Sequence, residues 1–201
     1  MSASWTVGGR RLTRADILPL PEYIKVRRER RREISEIKKR RRVEVGPFAT
    51  FYFENVETMR QQIQEMLYIE KGGEAQIEDE LSAYNPLIPQ GRELVATVMF
   101  EIDDPLRRAT ALARLGGIES HAFIDGSGGR SRGEPDPTRE NTDPDGKASA
   151  VQFLRFPFSA ELIVAFRLPA SQVVVGFDHP NYAHMAVMPE PVRAALAEDF
   201  D

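Results

Sequence analysis

The sequence predicts an α+β fold: a single domain over residues 1–201 with a mixed or antiparallel sheet of about five strands, covered mainly on one face by amphipathic helices. Three observations carry that prediction. Segments of helical periodicity and segments of strict apolar alternation follow one another without an internal repeat. Hydrophobic residues make up 41% and charged residues 29% of the chain, which suits one packed core and excludes wholesale disorder. A long stretch from Pro21 carries neither Gly nor Pro until Gly46, which predicts a basic N-terminal helix of about six turns.

Upstream of that helix, "TRAD" (Thr13 to Asp16) has the pattern of a capping box opening a short turn before Pro19. Residues 21–43 hold eleven Lys or Arg against four Glu, so a basic rod is attached to an acidic body in a chain of net charge -4. At 100° per residue, Tyr23, Arg27, Arg30, Ile34, Ile37 and Arg41 share one stripe. Either these arginines lay their stems on the core and reach acidic partners at its rim, or they line a cleft that binds an anion. A nucleic-acid reading is disfavoured. Glu29, Glu33 and Glu36 interrupt the run, no aromatic residue interleaves, and the pI is about 5.6.

"VEVGPFATFYFEN" (Val43 to Asn55) alternates and is rich in β-branched and aromatic residues, a strand with a turn at Gly46-Pro47. Asn55 caps the helix "VETMRQQIQEMLYIE", which Lys71-Gly72-Gly73 ends. Its apolar stripe of Met59, Ile63 and Met66 has Glu70 in the middle, and Glu54 lies at the preceding junction. The expectation is mutual neutralisation, with Arg27 or Arg30 paired to Glu54 or Glu70. Tyr23, Arg27, Arg30, Arg41, Glu54, Asn55 and Glu70 then form the candidate ligand-binding set.

A third helix, "EAQIEDELSAYNP", presents Ile77, Leu81 and Tyr84 and stops before Pro86. "ELVATVMFEID" (Glu93 to Asp103) is a strand, Asp104-Pro105 opens a helix closed by Gly116-Gly117, and "ESHAFIDG" is a short strand. Residues 126–149 carry Gly, Pro, Ser and charge without apolar periodicity and read as a mobile polar loop. "AVQFLRFPF" is a strand, Ser159 caps the helix "SAELIVAFR", Val173 to Val175 is a buried strand with a turn at Pro180, and "PEPVRAALAEDF" is a final helix.

Signals of chemistry are sparse. Zero cysteine removes disulfides, thiolate nucleophiles and iron–sulfur ligation, so no cofactor is expected. No run has the length of a membrane span, and "MSASWTVGGRR" lacks an apolar leader core, which reads as cytosolic. Of three histidines, two sit in "DHPNYAH"; Asp178, His179 and His184 are the candidate metal ligands, against a reading in which Asp178 or His179 only bonds the turn. There is no phosphate loop and no nucleophile elbow.

Taken together, Tyr23, Arg27, "KKRRRVEVGPFATFYFENVETMRQQIQEML", "LSAYNPLIP", "LGGIE" and "FDHPNYAH" resemble, across nearly the whole chain, the bacterial family called domain of unknown function 3501. That resemblance implies genomic neighbours of the rubrerythrin-like diiron and heterodisulfide-reductase-like iron–sulfur kinds, hence a role near peroxide, iron or electron-transfer chemistry. The functional expectations are then an accessory or binding protein docking on such a redox partner, or an enzyme or sensor for a small anion using an Arg/Glu cleft. Weak nucleic-acid binding through residues 27–42 ranks third.

Overall fold

The computed structural model describes residues 9–201; the leader reading of "MSASWTVGGRR" falls largely on residues outside these. Helix α1 (Leu20–Lys39) is followed by a hairpin of β1 (Arg42–Val45) and β2 (Ala49–Phe53), then α2 (Val56–Glu70) and α3 (Glu74–Tyr84). Next come β3 (Glu93–Phe100), α4 (Pro105–Leu112), β4 (Ala122–Gly126), β5 (Gly129–Arg132) and β6 (Glu134–Pro135). β7 (Val151–Pro157), α5 (Ala160–Arg167), β8 (Val173–His179), β9 (Tyr182–Val187) and α6 (Glu190–Ala197) complete the chain.

The strands form two sheets rather than one: five strands in the order β1-β2-β3-β7-β6 and four in the order β5-β4-β8-β9, with antiparallel pairing throughout. The two-residue period of β3 shows how the layers stack. Leu94, Ala96, Val98 and Phe100 enter a core shared with Ile124, Val175 and Phe177 of the second sheet. Val95, on the other face, packs with Met59, Ile63, Leu67, Ile77 and Leu81 of α2 and α3. The five-stranded sheet is therefore the middle layer of an α+β domain, between the helices and the four-stranded sheet.

Local signals explain most boundaries. Thr13 and Asp16 make the expected capping box. Asn55 Oδ1 accepts from the Thr58 N–H at 3.0 Å while Thr58 Oγ1 accepts from the Asn55 N–H at 2.9 Å, and Ser159 caps α5. α1 ends at Lys39 because residues from Arg42 onward pair with β2, so Arg41 lies past the helix and off its stripe.

Residues 126–149 differ from the polar loop expected. They hold β5, β6 and a Thr142–Ala148 bridge. Asp136, buried, accepts from the Thr138 N–H at 2.9 Å and the Thr138 hydroxyl at 2.7 Å. Polar side chains here bond the backbone, so a sheet edge forms without the apolar period that would announce it.

Candidate functional site

α1 packs on α2 and buries only Tyr23. At that contact the Arg27 guanidinium grips Glu65 through two hydrogen bonds of 2.8 Å and stacks 4.0 Å from the Tyr68 ring centroid. Tyr23 donates its hydroxyl proton to Glu65 and accepts from Gln61 Nε2 at 2.6 Å. Burial pushes the Glu65 carboxyl up, yet Arg27 and Tyr23 together hold it below the usual carboxylate range. The Tyr23 hydroxyl is raised, by burial first and by Glu65 second.

The neutralisation expected of the arginine stripe therefore occurs, with different partners. Glu65, not Glu54 or Glu70, receives Arg27, because it is the α2 residue that faces Tyr23 and Arg27 across the helix pair. Arg30 is exposed and pairs with Glu33 on its own helix. Glu70 is exposed and accepts from Gln76 Nε2 at 2.7 Å; the apolar stripe of α2 runs through Leu67 instead. Arg41 is buried at 4% exposure, donating to the carbonyls of Phe53 and Glu54 at 3.0 Å each and to Asp199. A clamp of Arg27, Arg30 and Arg41 around one anion is not assembled, since Arg41 is fully committed inside the fold and Arg30 lies beside a different cavity, of about 170 Å³. Asn55 serves α2 as its cap.

Along the side of α1 that carries Arg31, three depressions run into one another. The first, about 310 Å³, lies between Arg27, Arg28, Arg31 and Tyr68. The second, about 510 Å³, shares Arg31 and adds Lys38, Lys39 and Arg42. The third, about 440 Å³, shares Lys38, Tyr52 and Gln62 with the second and has Glu54, Tyr84 and Phe153 in its wall. It sits on the strip of the five-stranded sheet that the helices leave open, where Met99 is 37% exposed. Arg28, Arg31, Lys38 and Arg42 form no ion pair with any described residue, whereas Arg30, Arg32 and Lys39 each reach a glutamate three residues away. The aromatic groups that the basic run lacks thus arrive from α2, β2, α3 and β7, a juxtaposition no spacing in the sequence announces.

The candidate metal set does not converge. Asp178 lies on the outer face of β8 while His179, one residue on, points inward. The Asn181 N–H donates to His179 Nδ1 at 3.2 Å, and Nε2 faces the Gly116 carbonyl at 3.3 Å, so both ring nitrogens are engaged by the fold. His184 packs edge-on against Tyr182, 4.6 Å between ring centroids. Asp178 instead meets Arg132 at 2.6 Å and His121 Nδ1 at 3.1 Å, a surface cluster that sequence reading missed because its members lie on three strands or turns. Among the described residues, no three His, Cys, Asp or Glu side chains are grouped to hold a metal.

Fold and groove together define a three-layer α+β protein with a cationic channel along its first helix. The chain belongs to the family described as "Protein of unknown function (DUF3501)", whose model matches residues 11–200. It is similar to a novel protein of unknown function from Burkholderia pseudomallei K96243, solved by crystallography, at 38% identity and a TM-score of 0.88, over 96% of this chain and 100% of that one. No curated protein matches the chain.

Proposed function

We propose that the protein is an accessory binding protein that docks an acidic surface of a partner protein onto the basic channel of α1. The observation that carries this reading is the set of four cations, Arg28, Arg31, Lys38 and Arg42, held along one continuous depression, none of them in an ion pair with a described residue. Unpaired charge of one sign on a rigid helix raises association rates and selects complementary surfaces. The family resemblance supplies the partner class: a rubrerythrin-like diiron protein or an iron–sulfur protein of a peroxide, iron or electron-transfer system, met in the cytoplasm. No helix among the described residues is long and apolar enough to cross a membrane.

Nucleic acid fits the channel less well. Glu65 and Glu54 stand along it, and Glu29, Glu33 and Glu36 offset the outer face of α1, placing negative charge where phosphates would pass.

The test is a binding titration of the purified protein against its genomic-neighbour redox proteins at low and at moderate salt. Binding that weakens steeply with salt, and that vanishes in Arg28→Glu/Arg31→Glu/Lys38→Glu, supports docking through α1. Absence of association at low salt with every neighbour overturns it.

A further inference from the structure

We propose that the cavity walled by Glu54 is a binding site for a small organic cation, an ammonium or guanidinium group on an apolar stem. The site adjoins the docking face proposed above and shares Lys38 with it, but its ligand carries the opposite charge.

The argument begins with the carboxylate. Glu54 follows the last residue of β2 and is only 6% exposed. Its Oε1 accepts from the Thr97 hydroxyl at 2.7 Å and its Oε2 from the Thr58 hydroxyl at 2.6 Å. A carboxylate offers about four acceptor positions, so two neutral donors leave it half satisfied. It forms no ion pair with any described residue. Of the other buried carboxylates, Asp199 has Arg41 and Asp136 has Arg139, while Glu80 and Glu93 accept from Gln76 Nε2 and the Gln90 N–H; Glu54 is the one of the five that lines the cavity of about 440 Å³. An ionised carboxylate withdrawn from water without a counter-charge is costly, and a cation delivered from outside relieves that cost.

The walls specify what kind of cation. Tyr52, Tyr84, Phe153, Met59 and Met99 line a space of about 440 Å³, with the Arg139 guanidinium already stacked 4.2 Å from the Phe153 ring centroid, so the rings of Tyr52 and Tyr84 are the aromatic groups left for a ligand. That volume lies in the range of small-molecule sites, roughly 300–1,000 Å³. Aromatic faces attract organic cations, and they shed the hydration of a metal ion poorly. One carboxylate also cannot supply the several oxygen ligands that a hard metal ion requires. The combination of one buried anion, π faces and apolar walls suits an amine or guanidine carried on hydrocarbon.

Lys38 sharpens the test. It stands in the wall shared by this cavity and the basic channel, yet no ion pair joins it to Glu54. Its ammonium repels an incoming cation and attracts an acidic partner. Neutralising it should therefore strengthen amine binding and weaken docking, so the two proposals fail separately.

The experiment is calorimetric titration of the full chain with propylamine, 2-phenylethylamine and agmatine, and with 2-phenylethanol as the uncharged control. The expected result is binding of at least one amine, with 2-phenylethanol about tenfold weaker or worse than 2-phenylethylamine, since a charged hydrogen bond contributes on the order of one decade of affinity or more. Glu54→Gln should lower amine affinity by about the same factor, and Lys38→Met should raise it. Amine and alcohol binding alike, a folded Glu54→Gln protein that binds amines as the parent does, or no binding of any of the three amines at millimolar concentration each overturns the proposal. The amine-to-alcohol comparison needs no variant, so it stands even where Glu54→Gln misfolds.

Discussion

The Tyr182 hydroxyl donates to the Val45 carbonyl at 2.7 Å and accepts from the Ala49 N–H at 3.1 Å, tying β9 of one sheet to the β1–β2 hairpin of the other. Two short patterns separated by more than a hundred residues, Gly46-Pro47 and the segment ending in Tyr182, are thereby one structural unit. Gly46 has φ +68°, and a Cβ there would lie 2.7 Å from the His184 ring and 2.8 Å from the Tyr182 hydroxyl. The close approach and the left-handed backbone both require glycine.

Removing that hydroxyl leaves a buried turn without its donor and its acceptor. Tyr182→Phe is expected to lower stability by about 2 kcal/mol, measured by urea unfolding. Gly46→Ala should cost at least as much, through backbone strain and the clash together. A Tyr182→Phe protein as stable as the parent would show that the turn holds by strand pairing alone.

The Arg27–Glu65 pair predicts a pH dependence. Glu65 is held below its ordinary value in the folded chain, so its contribution is present above the unfolded carboxylate range and is lost as pH falls. Melting temperature should therefore drop below about pH 4.3, and the Glu65→Gln protein, already less stable at neutral pH by about 2 kcal/mol, should show a shallower drop. Parallel pH curves for the two proteins would contradict this.

Arg41 and Asp199 form the most buried ion pair among the described residues, with side-chain exposures of 5% and 9%. Burial pushes the Asp199 carboxyl up, and Arg41 opposes that. Removing either partner strands the other. Asp199→Ala is expected to cost about 3 kcal/mol or more in unfolding free energy, with a smaller loss in Arg41→Met/Asp199→Leu than in either single change. Equal losses in all three would deny the coupling.

Charge reversal at the exposed channel residues should behave oppositely. Arg28→Glu removes no ion pair with any described residue, so unfolding free energy should stay within about 0.5 kcal/mol of the parent while partner binding falls; Arg31→Glu also loses the through-space attraction to Glu65, so its stability loss should stay within about 1 kcal/mol. A large loss of stability would mean that these arginines serve the fold.

Much of this architecture was legible locally. The capping box at Thr13, the cap at Asn55, the alternation of β3 and the turn at Gly46-Pro47 each depend on residues a few positions apart, and each element formed where its signal lay. Strand β9 was not legible, because "YAHMAV" sits at a sheet edge with Met185 and Val187 exposed, so only Tyr182 betrays an inward side. The arginine stripe was read correctly at Tyr23 and Arg27 and incorrectly at Arg30, which is exposed and pairs with Glu33, and at Arg41, where strand pairing ends the helix.

By itself the sequence determined the α+β class, the long basic helix and the need of its inward arginine for a carboxylate, since periodicity, capping and charge are properties of neighbouring residues. Only the tertiary structure decided that the strands divide into two sheets, that Glu65 answers Arg27, and that Glu54 forms no ion pair with any described residue where it lines a cavity with Tyr52 and Tyr84. Those outcomes depend on which elements pack together, and packing joins residues that no local period relates.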